Sequence, residues 1–310
     1  MADKPSRALV VYGDGLARFL DPSHTHLHSL ASKSSCGFLT LPNSPSSESE
    51  DERVVREFAL LLDACEAYLN WNRNSTNDEC QNKSLIPTIS ERFMGMKAAV
   101  VTSNPSLKSF GTKIGFTVLG LKEYATNVEN SSEASELLKL LGFQEGKTLD
   151  NSQFDIVFVH IGAGEKDKAV ANDLEYINSL VGDIMNLAEP GSEVGSRLHF
   201  SVVMSYGSVS EDDDSSKSSV LVTRDEKNSN LSLLFPRQSY TMRGENQRKD
   251  VRHYHPMLIA QWQYAVTRKD MAETFSFEDF KEHGGNLVIP ADRFLHEVAF
   301  KLWKAPKYGA

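Results

Sequence analysis

Cysteine is scarce in this chain, with three in 310 residues: Cys36, Cys65 and Cys80. They give neither a metal-ligand spacing nor an even disulfide framework. No apolar run is long enough to cross a bilayer, and the polar start MADKPSR lacks the apolar core of a secretion signal. A surplus of positive charge is missing too. Its 33 Lys and Arg stand against 42 Asp and Glu, a net charge of -9. That argues against nucleic acid as a partner, because phosphate backbones are bound through a basic field. No repeat of fixed period is present. The absences point to a soluble protein of a reducing compartment, cytoplasm or nucleus, with no membrane or nucleic-acid partner.

What is present is enough apolar residue, 40% of the chain, for a sizeable core. The chain turns on residues 154–165, FDIVFVHIGAGE. Its apolar, β-branched and aromatic run reads as a strand covered on both faces, as in a parallel sheet. His160, Gly162 and Gly164 follow, at the strand end where open α/β sheets place their ligand crevice. Further strands are expected at 7–12, 36–41, 98–102, 116–119, 198–204 and 257–262. Helices are expected from 25, over 54–69 (apolar residues at helical spacing), from Pro105 after the cap Asn104, over 133–141 and 174–188, and over 291–303. Alternating strands and helices predict a three-layer α/β/α sandwich around a mainly parallel sheet. A single domain, 1–310, is expected, with mobile loops at about 42–53, 70–84 and 207–219 and a small hairpin insertion at about 219–235.

Four segments, in order, resemble the alkaline-phosphatase superfamily, in its archaeal-type cofactor-independent phosphoglycerate mutase branch. Residues 9–17 (LVVYGDGLA) are similar to that branch's opening strand, and residues 25–37 (THLHSLASKSSCG) to its "TPNLDALAxxGxxG" segment. Residues 154–165 resemble "DLVFVHIxxxDxxGH", and residues 275–295 (FSFEDFKEHGGNLVIPADRFL) resemble the closing "FxExxxxxGGL". The resemblance implies the same α/β/α sandwich. It also implies two divalent metals at the carboxyl ends of the strands, activating a Ser or Thr nucleophile and holding a phosphate.

Carried over position by position, the resemblance places Asp14 at the first-strand metal aspartate and Glu165 where a second aspartate is expected. The following histidine falls on Ala169, and the family's "DHG" falls on Ser205-Tyr206-Gly207. His253 or His255, before Pro256, matches the late histidine. No nucleophile stands out, although Ser44, Ser46 and Ser47 lie in the right interval. Residual metal ligands would thus be Asp14, Glu165, His253 and His255, and an ion held there would be Mn²⁺ or Mg²⁺.

From the residues alone, Asp14 reads equally as a turn residue, His160 as a hydrogen-bonded core histidine, and Glu165 as part of a solvated run. The alternating His24, His26 and His28 read as ligands only with further partners. Arg237, Arg243, Arg248 and Arg252 belong to a basic island in an acidic chain, suited to a phosphate or other anion, or to balancing nearby acids. The thinned ligand set leads to the expectation of a catalytically degenerate member acting as a binding or regulatory protein. Its partner would be a protein or a phosphorylated small molecule. The alternative is a metal-dependent phosphohydrolase or phosphomutase with a rearranged site.

Overall fold

The structure, a computed structural model, describes residues 6–45, 47–74, 87–120, 132–162, 167–209, 242–243, 246–247, 250–285 and 287–306. In chain order the strands are β1 (Arg7–Asp14), β2 (Ser35–Pro42), β3 (Ala98–Thr102), β4 (Thr117–Gly120), β5 (Phe143–Gln144), β6 (Lys147–Thr148), β7 (Ile156–Gly162), β8 (Leu198–Met204), β9 (Met242–Arg243), β10 (Asn246–Gln247), β11 (Val251–Trp262) and β12 (Leu287–Pro290). The helices are α1 (Thr25–Ala31), α2 (Glu50–Leu61), α3 (Cys65–Asn74), α4 (Ile89–Arg92), α5 (Pro105–Lys113), α6 (Glu133–Leu140), α7 (Asp167–Leu187), α8 (Glu193–Arg197), α9 (Phe277–His283) and α10 (Phe294–Lys301).

Eight strands form one sheet in the order β12-β2-β11-β8-β1-β7-β3-β4. All pairings are parallel except those of β11, which runs antiparallel to both β2 and β8. β1 lies at the centre, paired with β7 on one side and β8 on the other. Alternation along β1 divides its side chains between two cores. Leu9 and Val11 pack with Leu27 and Leu30 of α1 and Ile177, Val181 and Ile184 of α7. Ala8, Val10 and Tyr12 pack with Val54, Val55 and Phe58 of α2, Phe110 of α5 and Leu295 and Val298 of α10. This is the α/β/α sandwich expected, and the strand over 198–204 has the bounds expected.

Several elements differ from the sequence reading. The apolar pattern over 54–69 forms two helices, not one. Asp63 adopts a left-handed φ of 49°, and the Asp63 and Ala64 N–H groups donate back to the Leu60 and Ala59 carbonyls at 3.0 and 2.8 Å. That is a Schellman stop, made with Asp in place of Gly. Helix α2 begins inside the expected loop because Ser49 and Glu52 form a reciprocal capping box. Helix α7 begins earlier than apolar spacing suggests, and Ala291–Arg293 is a 3-10 turn before α10. The hairpin insertion expected at 219–235 lies outside the described residues. Among the described residues, no helix is long and apolar enough to cross a membrane.

Candidate functional site

β1, β7 and β8 finish together. Asp14 pairs with Gly162, and Gly13 with Met204. The chain crosses so closely here that a Cβ on Gly162 would sit 2.2 Å from the Asp14 carbonyl oxygen, and Gly162 has φ 116°. Only glycine fits this meeting of strands.

The alternation that sends Tyr12 toward α2 sends Asp14 the same way. Its carboxylate is buried, and it meets Arg53 of α2. Arg53 Nη1 donates to Asp14 Oδ1 at 2.8 Å and Nη2 to Oδ2 at 3.0 Å, a two-pronged fork. The other donors of Arg53 are also used. Nη1 donates to Glu57 Oε2 at 3.0 Å, Nε to Glu50 Oε2 at 3.0 Å, and Nη2 to Glu50 Oε1. All five N–H groups therefore serve three carboxylates. Asp14 Oδ1 also accepts from Ser205 Oγ at 2.9 Å, and Tyr12 OH lies 3.3 Å from it. Asp14 Oδ2 faces His160 Nε2 at 3.7 Å, too long for a hydrogen bond.

His160 is buried, with its ring 5.6 Å from that of Tyr12. Its Nδ1 lies 2.9 Å from Thr102 Oγ1, which already accepts from the Asn104 N–H. Nε2 is thus the ring nitrogen turned toward Asp14.

Burial pushes the Asp14 pKa up, but His160 and the Arg53 guanidinium outweigh it and hold the group below the ordinary carboxylate range. Glu57 goes the other way. Burial raises its pKa, and the Asp14 charge adds to this against the pull of Arg53. Tyr12 is raised well above its ordinary value by burial and by the charges of Asp14 and Glu57. His160 and Arg53 together thus keep Asp14 ionised, while Glu57 stays the easier carboxyl to protonate.

A second group adjoins the first. Arg56 Nε and Nη2 donate to Glu48 at 2.6 and 2.9 Å. Ser44 Oγ accepts from Arg56 Nη2 and from Arg252 Nη1, each at 3.2 Å. Arg252 Nη2 donates to the His255 carbonyl at 3.0 Å, across a register shift in β11 where His255 has φ 46°.

Of the residues singled out from sequence, Asp14 and Arg252 thus fall at neighbouring parts of one rim. The His255 ring lies 4.9 Å from that of Tyr206, next to Ser205. Ser44 is exposed beside Arg252. Glu165, Arg237 and Arg248 lie outside the described residues, as do the side chains of Arg243 and His253. His24 and His28 are engaged with Asp21, at Nδ1 and Nε2 respectively, and His26 packs on Gly182 of α7. Among the described residues, no group of three or more His, Cys, Asp or Glu could hold a metal ion.

A divalent ion approaching Asp14 would meet a cation already in place. Both oxygens already accept from a permanently charged side chain that none of the sequence analysis had singled out. Arg53, Arg56 and Glu57 fall at i, i+3 and i+4 on α2. That is one helix face, and the spacing was the signal available.

No protein-family model matches the chain, and no curated protein does. Solved structures do share its fold. The PH0037 protein from Pyrococcus horikoshii is 13% identical and superposes with a TM-score of 0.54, covering 99% of each chain. The lipoteichoic acid synthase LtaP from Listeria monocytogenes is 13% identical, with a TM-score of 0.51 over 99% of this chain and 74% of that one. The cofactor-independent phosphoglycerate mutase from Thermoplasma acidophilum is 12% identical, with a TM-score of 0.48 over 94% and 98%. At such identities the likeness is one of fold. The architecture is alkaline-phosphatase-like, as the sequence resemblance implied.

Proposed function

We propose that this chain is a catalytically degenerate form of the alkaline-phosphatase-like fold, a binding or regulatory protein in which an internal arginine has taken the place of metal charge. The observation that supports it is the Arg53 fork on Asp14, with all five guanidinium N–H groups held by carboxylates. A cation entering at Asp14 would have to break both prongs of the fork and lie against a buried arginine still held by Glu50 and Glu57, like charge beside like. The partner is a protein or a phosphorylated small molecule, met in the cytoplasm or nucleus.

The test is calorimetric titration of the full chain with Mn²⁺, Mg²⁺ and Zn²⁺, alongside turnover of a generic phosphate ester. No saturable binding and no turnover are expected. Tight binding that disappears in Asp14→Ala, together with turnover, would overturn the reading. It would favour a metal-dependent phosphohydrolase or phosphomutase instead. The adjacency of His160 Nε2 and Asp14 Oδ2, 3.7 Å apart, supports that second reading. Glu165 and His253 or His255 would then complete the ligand set.

A further inference from the structure

Arg252 is a buried cation, 3% exposed. Among the described residues its hydrogen-bond partners are neutral: the Ser44 hydroxyl and the His255 carbonyl. No carboxylate there lies within ion-pairing distance of it, and its Nε has no partner. Burial accordingly lowers its pKa, against the attraction of Glu57 and with the repulsion of Arg56. Arg56, 7% exposed, likewise has an unpartnered Nη1. Two buried guanidiniums with spare donors therefore meet at one atom, the Oγ of Ser44.

Ser44 itself is exposed, lies between β2 and α2, and is followed by Pro45. Its hydroxyl accepts from two cations, Arg56 and Arg252. A hydroxyl is a poor counter-charge for two guanidiniums, whereas a phosphate ester brings close to two negative charges and three acceptor oxygens.

We propose that Ser44 is a phosphorylation site, and that Arg56 and Arg252 form the built receptor for the phosphoserine. The γ-phosphoryl group of a nucleoside triphosphate passes to Ser44 Oγ through a proline-directed protein kinase. A P–O bond forms at Oγ, the β–γ bridging bond breaks, the hydroxyl proton leaves to the kinase base and a nucleoside diphosphate departs. The ester then supplies Arg252 with a counter-charge that none of the described residues gives it within ion-pairing distance, and competes with Glu48 for Arg56. Glu57 Oε1, 3.9 Å from Arg56 Nη2, opposes the new charge. Arg53 offsets Glu57 from its other side. Phosphorylation would thereby pin Ser44 against α2 and β11. The proposal does not depend on whether Asp14 is closed to metal.

The test uses the full chain and a proline-directed kinase that modifies a peptide of residues 40–49. Stoichiometric phosphate at Ser44, located by tandem mass spectrometry, is expected. Modification of the peptide but not of the folded chain would overturn the proposal. The ³¹P resonance of the modified chain is then titrated. The second ionisation of the phosphate is expected to fall from about 6, its value in the peptide, to about 5. It should return toward 6 in Arg252→Met and stay low in Arg252→Lys and Glu48→Gln. A value equal to the peptide's in the wild-type chain would overturn the receptor. In a separate arm the chain is incubated with a phosphate monoester and no kinase, and no label is expected. Label at Ser44 in that arm would make Ser44 a nucleophile of the chain's own chemistry, overturning both the kinase site and the non-catalytic reading. Metal binding without label would overturn only the latter.

Discussion

Replacing Arg53 by Met removes the cation between Asp14 and Glu57 while keeping most of the side-chain volume. The Asp14 and Glu57 side chains are 0% and 1% exposed, so neither can turn to water. Breaking such a buried pair from one side costs about 3–5 kcal/mol, because a charge is left behind without compensation. For a domain of this size about 2 °C of melting temperature follows each kcal/mol, so the variant should melt about 6–10 °C lower. The pH dependence carries the argument further. In the wild type the Asp14 pKa is held below the ordinary carboxylate range. Its contribution is therefore complete above about pH 4 and is lost only as pH falls through the lower, folded value. In Arg53→Met, burial drives both carboxyls up, and protonation relieves the strain. The stability gap between the two proteins should then narrow as pH falls from 7 toward 5. Urea unfolding followed by circular dichroism at both pH values measures this. Adding Asp14→Asn should recover part of the loss, with a coupling of about 2 kcal/mol or more. A gap below about 1 kcal/mol at pH 7, or one that ignores pH, would refute the idea that Arg53 is the essential counter-charge of the rim.

Other perturbations probe the frame around that rim. Gly162→Ala should cost at least about 3 kcal/mol, from positive φ and from collision with the Asp14 carbonyl. Gly13→Ala should cost less, because the atom 2.3 Å from its Cβ is the sulfur of the flexible Met204; paired urea melts compare the two. His199 is buried, and burial, helped by the Lys301 charge, holds its pKa well below the ordinary value. Its contribution is therefore full above about pH 6.5 and lost below it, by up to about 1.4 kcal/mol per pH unit. His199→Gln should flatten that fall between pH 6.5 and 5.5. Ser49→Ala should remove the α2 cap at about 1 kcal/mol, seen as a lower urea midpoint.

The sheet was legible because its strands announce themselves. The runs at β1, β7 and β8 are continuous and apolar, as fully covered strands must be, and glycine follows two of them. Helix α2 was legible as a helix from Val54 and Phe58, but its chemistry was not. Arg53, Arg56 and Glu57 look like a solvated face, since charged residues at helical spacing usually are one. Here that face is turned toward the sheet's rim, and only tertiary structure reveals that Asp14, 39 residues away, meets it. Ser205 was visible in sequence as a lost aspartate. The structure gives it a positive role, since it donates to Asp14 Oδ1 and accepts from the Gly15 N–H at 2.9 Å. Strand β12 escaped notice because it is four residues long and ends in proline.

The reversed strand β11 has a consequence for assembly. Among the described residues, the strands that pair with β2, residues 35–42, are β11 and β12, and neither begins before residue 251. During synthesis the segment holding β8, β1, β7, β3 and β4 can pair as soon as residue 204 has emerged. β2 must wait with two bare edges until residues 251–262 arrive. Contacts separated by that much chain are slow to close. A nascent or truncated form ending before β11 therefore presents an unpaired apolar strand, an opening for mispairing and a natural foothold for chaperones.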